Sequence, residues 1–317
     1  MRLGLKIPRA GSRPFDVAGF GLNSIDLLAV VAEYPASNSK QRLQRFMHMP
    51  GGQIGTALTA CTKLGLKTTY IGSFGSDPLG TMSRQSLVEA GVDVSGARTV
   101  KGATNQFAVI LVDARSGERT VLWDRHPDLT FDPRDIPREA VTSGRMLVVD
   151  CHETAGATAA ARYAREAGVP TIIDVEKVRP AIGELLQQID VLIAAQDFPP
   201  ALTGYEETGR ALEAMAAEYP AARVVCVTLG EGGSLALCDG REIRTPAFQV
   251  DCVDSTGAGD AFRGGFAAGC LLMPDAELEE ILSYANAVAA LNCRALGARG
   301  GLPTADEVSQ LLYARRT

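Results

Sequence analysis

The chain has 317 residues, of which 46% are hydrophobic and 21% charged, and its formal net charge is −6. This composition is typical of a globular protein large enough to bury a full core, and the acidic balance disfavours nucleic-acid or anionic membrane surfaces, which reward clustered Lys and Arg. No apolar run approaches the roughly 18–20 residues of a membrane span. None of the seven cysteines forms a C-x-x-C pair, so a reducing cytoplasmic location is predicted.

The first third of the chain mixes extended segments with two helices. Residues 1–14 contain no long apolar core and are interpreted as a flexible N-terminal extension rather than a signal peptide. Apolar spacing predicts strands at 15–19, 27–31, 42–47 and 68–72, and a helix at 55–64. A second helix begins at Asp77-Pro78, because proline is tolerated in the first turn.

The rest of the chain changes to an alternation of short apolar strands with helices. Two further strands, 104–112 and 119–123, come first. Strands are then predicted at 146–149, 171–174, 191–194, 223–228 and 248–253, and helices at 155–167, 180–188, 206–218, 258–273 and 275–291. This alternation predicts βαβ units and a parallel, doubly wound sheet between two layers of helices. The extended segments before Leu129 do not fit it and are assigned to a small β accessory element.

The strongest chemical signal is the segment Asp254-Ser-Thr-Gly-Ala-Gly-Asp260, between a predicted strand and a predicted helix. A glycine turn at a helix start leaves backbone N–H groups free to bind phosphate oxygens, and the helix dipole favours negative charge there. Asp260 makes chemical sense beside such a site if it takes a proton from an attacking hydroxyl. The alternative is a helix cap with a dipole-complementing aspartate. Gly264, Gly265 and Gly269 favour the first reading, since helix glycines imply close packing at this helix.

This segment closely resembles the C-terminal signature of the PfkB/ribokinase family of sugar and nucleoside kinases. The N-terminal signature of that family is similar to Gly51-Gly52-Gln-Ile-Gly-Thr56-Ala and its continuation through Gly72 to Gly80. The resemblance covers residues 16–303. It implies a Rossmann-like three-layer α/β/α ribokinase-like domain over 15–317, with a small β-sheet lid from segments near 27–47 and 104–123.

The resemblance also implies roles for individual residues. Asp260 is the implied general base, and Gly257, Ala258 and Gly259 form the implied anion hole for the phosphoryl group. The implied nucleotide site for ATP, with Mg²⁺, comprises Thr228, Gly230, Gly232, Gly233 and Asn286. Asn286 has an alternative role as a polar residue between packed helices, and the glycine turn has one as a plain hairpin.

For the acceptor, the resemblance points to the first third of the chain. Asn23 and Asp26 match its substrate-binding positions, and carboxylates and amides suit vicinal hydroxyls. Gly51 and Gly52 allow close approach of the backbone. Thr56 stands where the family usually has Asn, which favours a ketose or related sugar over ribose. Arg125 is a further substrate candidate, with a surface salt bridge as the alternative.

The chain differs from the family pattern at the magnesium motif and matches it at a monovalent-cation site. An Asn-x-x-Glu motif that many members use for magnesium is replaced here by Ala195 and Phe198, so either Asp197 or water is expected to hold the metal. The segment Val175–Pro180 resembles the ketohexokinase-like branch, and the ending 292–303 is similar to sulfofructose-kinase-like members. Asp254 and Thr256 match positions that hold a monovalent cation such as K⁺ in the wider family.

Several alternatives remain open from the sequence. Gly19-Phe-Gly-Leu-Asn-Ser24 follows a strand as a dinucleotide fingerprint does, but its third glycine is serine. There is no P-loop motif. A nucleoside kinase and a non-catalytic sugar or nucleotide sensor on the same fold are the alternatives to a carbohydrate kinase. The family lid predicts a homodimer that pairs through this element.

Overall fold

The computed structural model describes residues 1–116 and 118–315. Its strands are β1 (Phe15–Phe20), β2 (Ser24–Val31), β3 (Arg45–Gly51), β4 (Thr68–Ile71), β5 (Ser73–Gly75), β6 (Arg98–Val100), β7 (Phe107–Asp113), β8 (Arg119–Asp124), β9 (Gly144–Asp150), β10 (Thr171–Val175), β11 (Val191–Ala195), β12 (Val224–Thr228), β13 (Ser234–Cys238) and β14 (Arg241–Thr245). Its α-helices are α1 (Gln53–Lys63), α2 (Pro78–Glu89), α3 (Arg138–Val141), α4 (Thr154–Glu166), α5 (Ile182–Leu186), α6 (Phe198–Thr203), α7 (Thr208–Glu218), α8 (Ala258–Leu272), α9 (Leu278–Asn292) and α10 (Ala305–Ala314).

An eight-stranded sheet forms the middle layer, in the order β14-β13-β12-β11-β10-β9-β1-β4. All neighbours are parallel except the pairs that involve β13. One apolar cluster packs α1, α8 and α9 on one face, and a second packs α4 and α7 on the other. The predicted three-layer α/β/α architecture is confirmed. Within the described residues, no helix has the length and apolar character needed to span a membrane.

The chain order reverses at β1, which pairs with β4 on one side and with β9 on the other. In open parallel sheets, ligands bind in the crevice beyond the strand ends at such a switch point. Helix α8 packs closely against helices α1 and α9 there. A Cβ on Gly264 would lie 2.7 Å from the Ala57 carbonyl oxygen of α1, and one on Gly265 would lie 2.9 Å from Val288 Cβ of α9. The glycines of α8 therefore permit the close packing that the sequence predicted.

A second, four-stranded sheet in the order β3-β2-β7-β8 forms the lid. It overlaps the predicted lid segments 27–47 and 104–123. Its side chains alternate between two faces. Register partners Asp26, Ala108 and Trp123 share one face, and Leu27, Val109 and Leu122 share the other.

The strand predicted at 248–253 is wrong. This segment is irregular, and Val253 N–H donates to the Cys293 carbonyl at the end of α9 (2.8 Å) rather than to a strand. The sheet edge is instead closed by the β13–β14 hairpin, which the sequence analysis missed. Its two-residue turn is Asp239-Gly240, where both residues have positive φ, as the tight hairpin turn requires.

The first 14 residues differ from the predicted flexible extension, because they are docked along the domain. Leu3 is buried in the core, and the Met1 carbonyl accepts from Leu278 N–H (2.9 Å) at the start of α9. The Met1 ammonium lies 2.7 Å from Glu277. Arg13 donates to the carbonyls of Thr142 and Ala167. These contacts tie the N-terminal segment to both helical layers.

Candidate active site

A cavity of about 440 Å³ lies between the lid and the switch point of the main sheet. The lid contributes Asp26, Ala108, Val121 and Trp123, the start of α8 contributes Thr256, Gly257 and Asp260, and the ends of β9 and β10 contribute His152, Glu176, Lys177 and Arg179. This volume is in the range of small-molecule sites. The two signature segments, about 200 residues apart in the chain, thus meet in one cavity.

The N-terminus of α8 forms a cradle of unpaired amides. Gly257 is the N-cap, with φ 74 and no side-chain cap. A Cβ there would lie 2.5 Å from the Ala298 carbonyl oxygen, so only glycine fits. Among the described residues, the amides of Gly257, Gly259 and Asp260 have no acceptor, whereas Ala258 N–H donates to the Ser255 carbonyl (3.2 Å). The cradle therefore uses the amides around Ala258 rather than the Ala258 amide itself.

Asp260 lies in the first turn of α8, with 14% of its side chain exposed. Its Oδ1 accepts from Arg263 Nη2 at 2.8 Å. Burial raises the pKa of Asp260 to about 7, against the opposing pull of Arg263, and the nearby carboxylate of Asp174 raises it further. A carboxylate that titrates near neutral pH is matched to general base catalysis.

Asp26 faces Asp260 from the lid side of the same cavity. Burial raises its pKa to about 6, while a hydrogen bond from Ser24 and the charge of Arg299 oppose that rise. Gly51 lies against the Asp26 carboxylate and leaves no room for a side chain. Gly52 lines the cavity beside it. Three of the predicted acceptor residues, Asp26, Gly51 and Gly52, thus lie together at this cavity.

Two other predicted acceptor residues do not face the cavity. Asn23 and Thr56 are buried, and both accept from the guanidinium of Arg299. The Asn23 amide nitrogen donates to Ser83, at 2.7 Å to its hydroxyl. Their side chains are therefore engaged within the protein, and their direct contact with the sugar stays a prediction.

Arg299 is the residue that organises this corner, and the sequence analysis did not select it. Its guanidinium is buried and also donates to the Gly51 carbonyl and to the Ser86 hydroxyl. Burial lowers its pKa to about 10, while the charge of Asp26 opposes that change. One buried cation thus fixes the strand that carries Asp26 relative to the turn at Gly51.

Arg125 is not a free surface cation. It forms an ion pair with the buried carboxylate of Glu153 and donates to the Gln106 side chain at 3.2 Å. The other Glu153 oxygen accepts from Phe131 N–H (2.9 Å). Since Gln106 lines the cavity, Arg125 acts on the site through Gln106.

The predicted nucleotide turn follows β12, which ends at Thr228. Gly230–Gly232 form a short 3₁₀ helix, and Leu229 N–H donates to the Gly233 carbonyl (2.8 Å) just before β13. Asn286 of α9 is buried and donates to the Ser234 hydroxyl (3.1 Å) and the Thr245 carbonyl (3.3 Å). Asn286 therefore ties α9 to the β13–β14 hairpin, which is the alternative role considered for it.

The predicted monovalent-cation residues already have protein partners. The Asp254 carboxylate accepts from the amides of Thr256 (2.9 Å) and Gly297 (2.8 Å). Although burial alone would raise it, these hydrogen bonds hold the pKa of Asp254 below its usual range. Arg119 of lid strand β8 donates to the Thr256 hydroxyl (3.0 Å) and lies 3.4 Å from Asp254. The arginine therefore links the lid to the loop before α8.

The residues in place of the magnesium motif do not form a metal site. Phe198 is fully buried in the core, and Asp197 is exposed at the start of α6. No group of three or more His, Cys, Asp or Glu side chains within the described ranges is arranged to hold a metal. A directly coordinated, all-protein Mg²⁺ site does not fit these residues.

Sequence reasoning also missed several charged groups of the site: Asp174, Glu176, Lys177, Arg179, His152 and Arg263. Most of them follow the ends of β9 and β10, and charged residues directly after buried parallel strands were the available signal. Arg263 carried a different signal, since it lies one helical turn from Asp260.

Comparison with known proteins identifies the family of the chain. Residues 15–305 match the family described as pfkB family carbohydrate kinase. The chain is 32% identical over 301 residues to an ATP-dependent ribose-1-phosphate kinase of Halopiger xanaduensis, covering 92% of this chain and 95% of that protein. It is 27% identical to fructokinase-2 of Solanum lycopersicum, covering 93% and 95%. The structure of Arabidopsis thaliana ribokinase with ribose and ATP superimposes with a TM-score of 0.83 at 24% identity, covering 94% and 98%.

The chain therefore belongs to the pfkB family of carbohydrate kinases. This membership confirms the predicted family and the ribokinase-like fold. It also confirms the predicted class of activity, an ATP-dependent sugar kinase.

Replacing Arg299 by methionine tests its supporting role. We expect KM for the sugar to rise about 10–100-fold, because charged hydrogen bonds contribute about 1.5–3 kcal/mol each, with little change in KM for ATP. Steady-state kinetics with each substrate varied in turn measures both. Arg294→Met, at an exposed arginine of the same segment, is the matched control. An equal rise in both KM values would contradict the assignment.

Proposed function

We propose that this chain transfers the γ-phosphoryl group of ATP to a hydroxyl of a small sugar bound between Asp26 and Asp260. The observation that carries the proposal is the placement of Asp260 beside the unpaired amides of α8 in the cavity that Asp26 closes from the lid side. The sugar is a ketose or a related carbohydrate. The chain acts in the cytoplasm.

The chemistry follows from the charges of the site. Asp260 takes the proton of the acceptor hydroxyl as its oxygen attacks the γ-phosphorus. The amides of Gly257, Gly259 and Asp260, at the positive end of the helix dipole, stabilise the charge on the phosphoryl oxygens. Two of the charged side chains beyond β10, Lys177 and Arg179, lie in the same cavity and offset the charge of the triphosphate.

Recognition of the acceptor rests on the lid. The Asp26 carboxylate accepts hydrogen bonds from two vicinal hydroxyls, and the Gln106 amide supplies a donor and an acceptor. Val121 and Trp123 form the apolar part of this wall, and Trp123 is 59% exposed without a ligand. A sugar bound against this ring covers its apolar face.

The nucleotide enters along the glycine turn of Thr228, Gly230, Gly232 and Gly233. Mg²⁺ would be held mainly by the triphosphate and water, since this ion keeps several waters and binds substrate phosphates in kinase sites. Mg²⁺ offsets phosphate charge when bound. K⁺ is not needed at Asp254 and Thr256 if Arg119 supplies the positive charge there.

A second candidate acceptor is a sugar that already carries a phosphate. His152, Lys177 and Arg179 lie in the same cavity as Asp260, and Arg179 Nε is buried without a hydrogen-bond acceptor among the described residues. A relative at 32% identity is described as a ribose-1-phosphate kinase. Lys177 and Arg179 would also bind the phosphate of an anionic acceptor, whereas with a neutral ketose they face the triphosphate alone.

The chain is proposed to form a homodimer through the outer face of the lid. Phe46 and Leu122 lie on the face opposite to Asp26, and they are 53% and 57% exposed. Apolar side chains on a small, otherwise open sheet favour a second sheet packed against them.

Replacing Asp260 by asparagine tests the catalytic assignment. We expect kcat to fall by about 10²–10⁴, the usual contribution of a general base, while ATP affinity measured by calorimetry stays within about twofold. In the native enzyme, kcat/KM rises as the pH passes through about 7, because protonated Asp260 cannot accept the hydroxyl proton. Asp251→Asn, at an exposed aspartate nearby, serves as control. Native turnover by the Asp260 variant would refute the assignment.

A coupled ADP-release assay with fructose, ribose, ribose-1-phosphate and adenosine tests the acceptor. We expect kcat/KM for the ketose to exceed that for adenosine by at least about 100-fold, because a site built for hydroxyls leaves buried polar groups unpaired with a nucleobase. Preference for ribose-1-phosphate, lost in Arg179→Met, would replace the ketose by the anionic acceptor. Adenosine as the best substrate would contradict both.

Light scattering tests the dimer. We expect twice the chain mass of 33.4 kDa for the native protein and a monomer for Phe46→Glu/Leu122→Glu, since buried charges oppose association. Tyr313→Glu changes an exposed ring on α10, away from the lid, and should leave the dimer intact. A native monomer would contradict the proposed pairing.

A further inference from the structure

We propose that Arg263 is a positioning residue for catalysis, whose buried guanidinium holds Asp260 ionised and oriented toward the acceptor while it is shared with Asp174. This inference rests on the proposed role of Asp260 as the base. The family resemblance implied no role for Arg263.

The contacts of Arg263 define the geometry. The side chain is fully buried, and Nη2 lies 2.8 Å from Asp260 Oδ1 and 3.6 Å from Asp174 Oδ2. Nη1 donates to the Val149 carbonyl at 3.4 Å. Asp260 Oδ2 has no hydrogen-bond partner within the described residues. Arg263 therefore occupies one carboxylate oxygen and leaves the other for the hydroxyl.

Burying the charged side chain of Arg263 costs free energy unless the neighbouring carboxylates compensate its charge. It lies between Phe262 and Gly264 in a helix whose neighbours are apolar, and its Nε is buried without an acceptor among the described residues. A buried cation is tolerated when opposite charges compensate it. Asp260 and Asp174 are the carboxylates within ion-pair distance of it.

The charges around Asp260 explain why a cation is needed. From β9 and its end it faces Asp150 and His152, and from the end of β10 it faces Asp174 and Glu176. Arg299 acts from the opposite wall at longer range. Carboxylates dominate this set, and both they and burial favour a protonated, inactive Asp260.

The directions of the pKa shifts agree with this balance. The pKa of Asp260 is about 7, with burial as the largest cause of the rise and Arg263 as the largest opposing effect. Burial likewise raises the pKa of Asp174, against the charge of the same arginine. Without Arg263, the pKa of Asp260 would rise further, and without the Asp174 charge it would fall.

The test is the pH dependence of kcat/KM for the sugar from about pH 5.5 to about 9.5, measured for the native enzyme and for Arg263→Met, Arg263→Lys, Asp174→Asn and Asp260→Asn. We expect Arg263→Met to move the acid limb upward by roughly one pH unit or more. The loss at pH 7 would then be about fivefold or more and would recover at high pH. Arg263→Lys keeps the charge and should restore most of the native profile. Asp174→Asn should move the limb in the opposite direction, to lower pH.

Each outcome is decisive. An Arg263→Met profile that is lowered equally at every pH, or an upward shift in Asp174→Asn, would overturn the proposal, because a purely structural role does not move the limb. If Arg263→Met does not fold, the Arg263→Lys and Asp174→Asn profiles carry the same test. Activity in Asp260→Asn would instead overturn the assignment of the base, so the two failures are distinguishable. ATP affinity by calorimetry confirms that each variant is folded.

Discussion

The site depends on one electrostatic constraint: the Asp260 carboxylate must remain ionised beside a phosphate-binding site, although the two negative charges repel each other. The amides of α8 and the helix dipole attract anions, and the same amides begin the helix that carries Asp260. Burial and three further carboxylates push Asp260 toward its neutral form. The structure meets this constraint locally, through a cation in the helix itself.

Two buried guanidinium groups hold opposite sides of the cavity in place. Arg263 binds the carboxylates on the phosphoryl side, and Arg299 binds Asn23, Thr56 and the Gly51 carbonyl on the acceptor side. Each guanidinium donates more than one hydrogen bond from a buried position, so both combine charge with a fixed orientation. The lid adds a third arginine, Arg119, which is exposed and therefore suited to a contact that opens and closes.

Much of the fold could be predicted from the sequence, because apolar residues recur with one period in strands and another in helices. The parallel, doubly wound sheet follows from that period, and the lid follows from the family resemblance. The 248–253 strand failed because the backbone of Val253 hydrogen-bonds to Cys293 at the end of α9 rather than to a neighbouring strand. The hairpin was missed because Asp239-Gly240 was not used as a turn signal. The docked N-terminus was missed because its contacts are made with distant residues.

Site residues were predictable in two situations. At Gly257 the backbone conformation requires glycine, and at Asp260 the chemistry requires a base. The orientation of Asn23 and Thr56 was not predictable, because it depends on Arg299, which lies more than 240 positions away from both in the chain. Arg263 was hidden for a related reason. Its spacing from Asp260 is visible in the sequence, but its second partner, Asp174 at the end of β10, is brought to it only by the fold.

The most direct test of the central claim is a crystal structure with a non-hydrolysable ATP analogue and the best acceptor bound. We expect the acceptor oxygen to lie within about 2.6–3.2 Å of Asp260 Oδ2, in line with a γ-phosphate held by the amides of Gly257, Gly259 and Asp260. A sugar bound with no hydroxyl near Asp260, or a γ-phosphate held away from the start of α8, would contradict it.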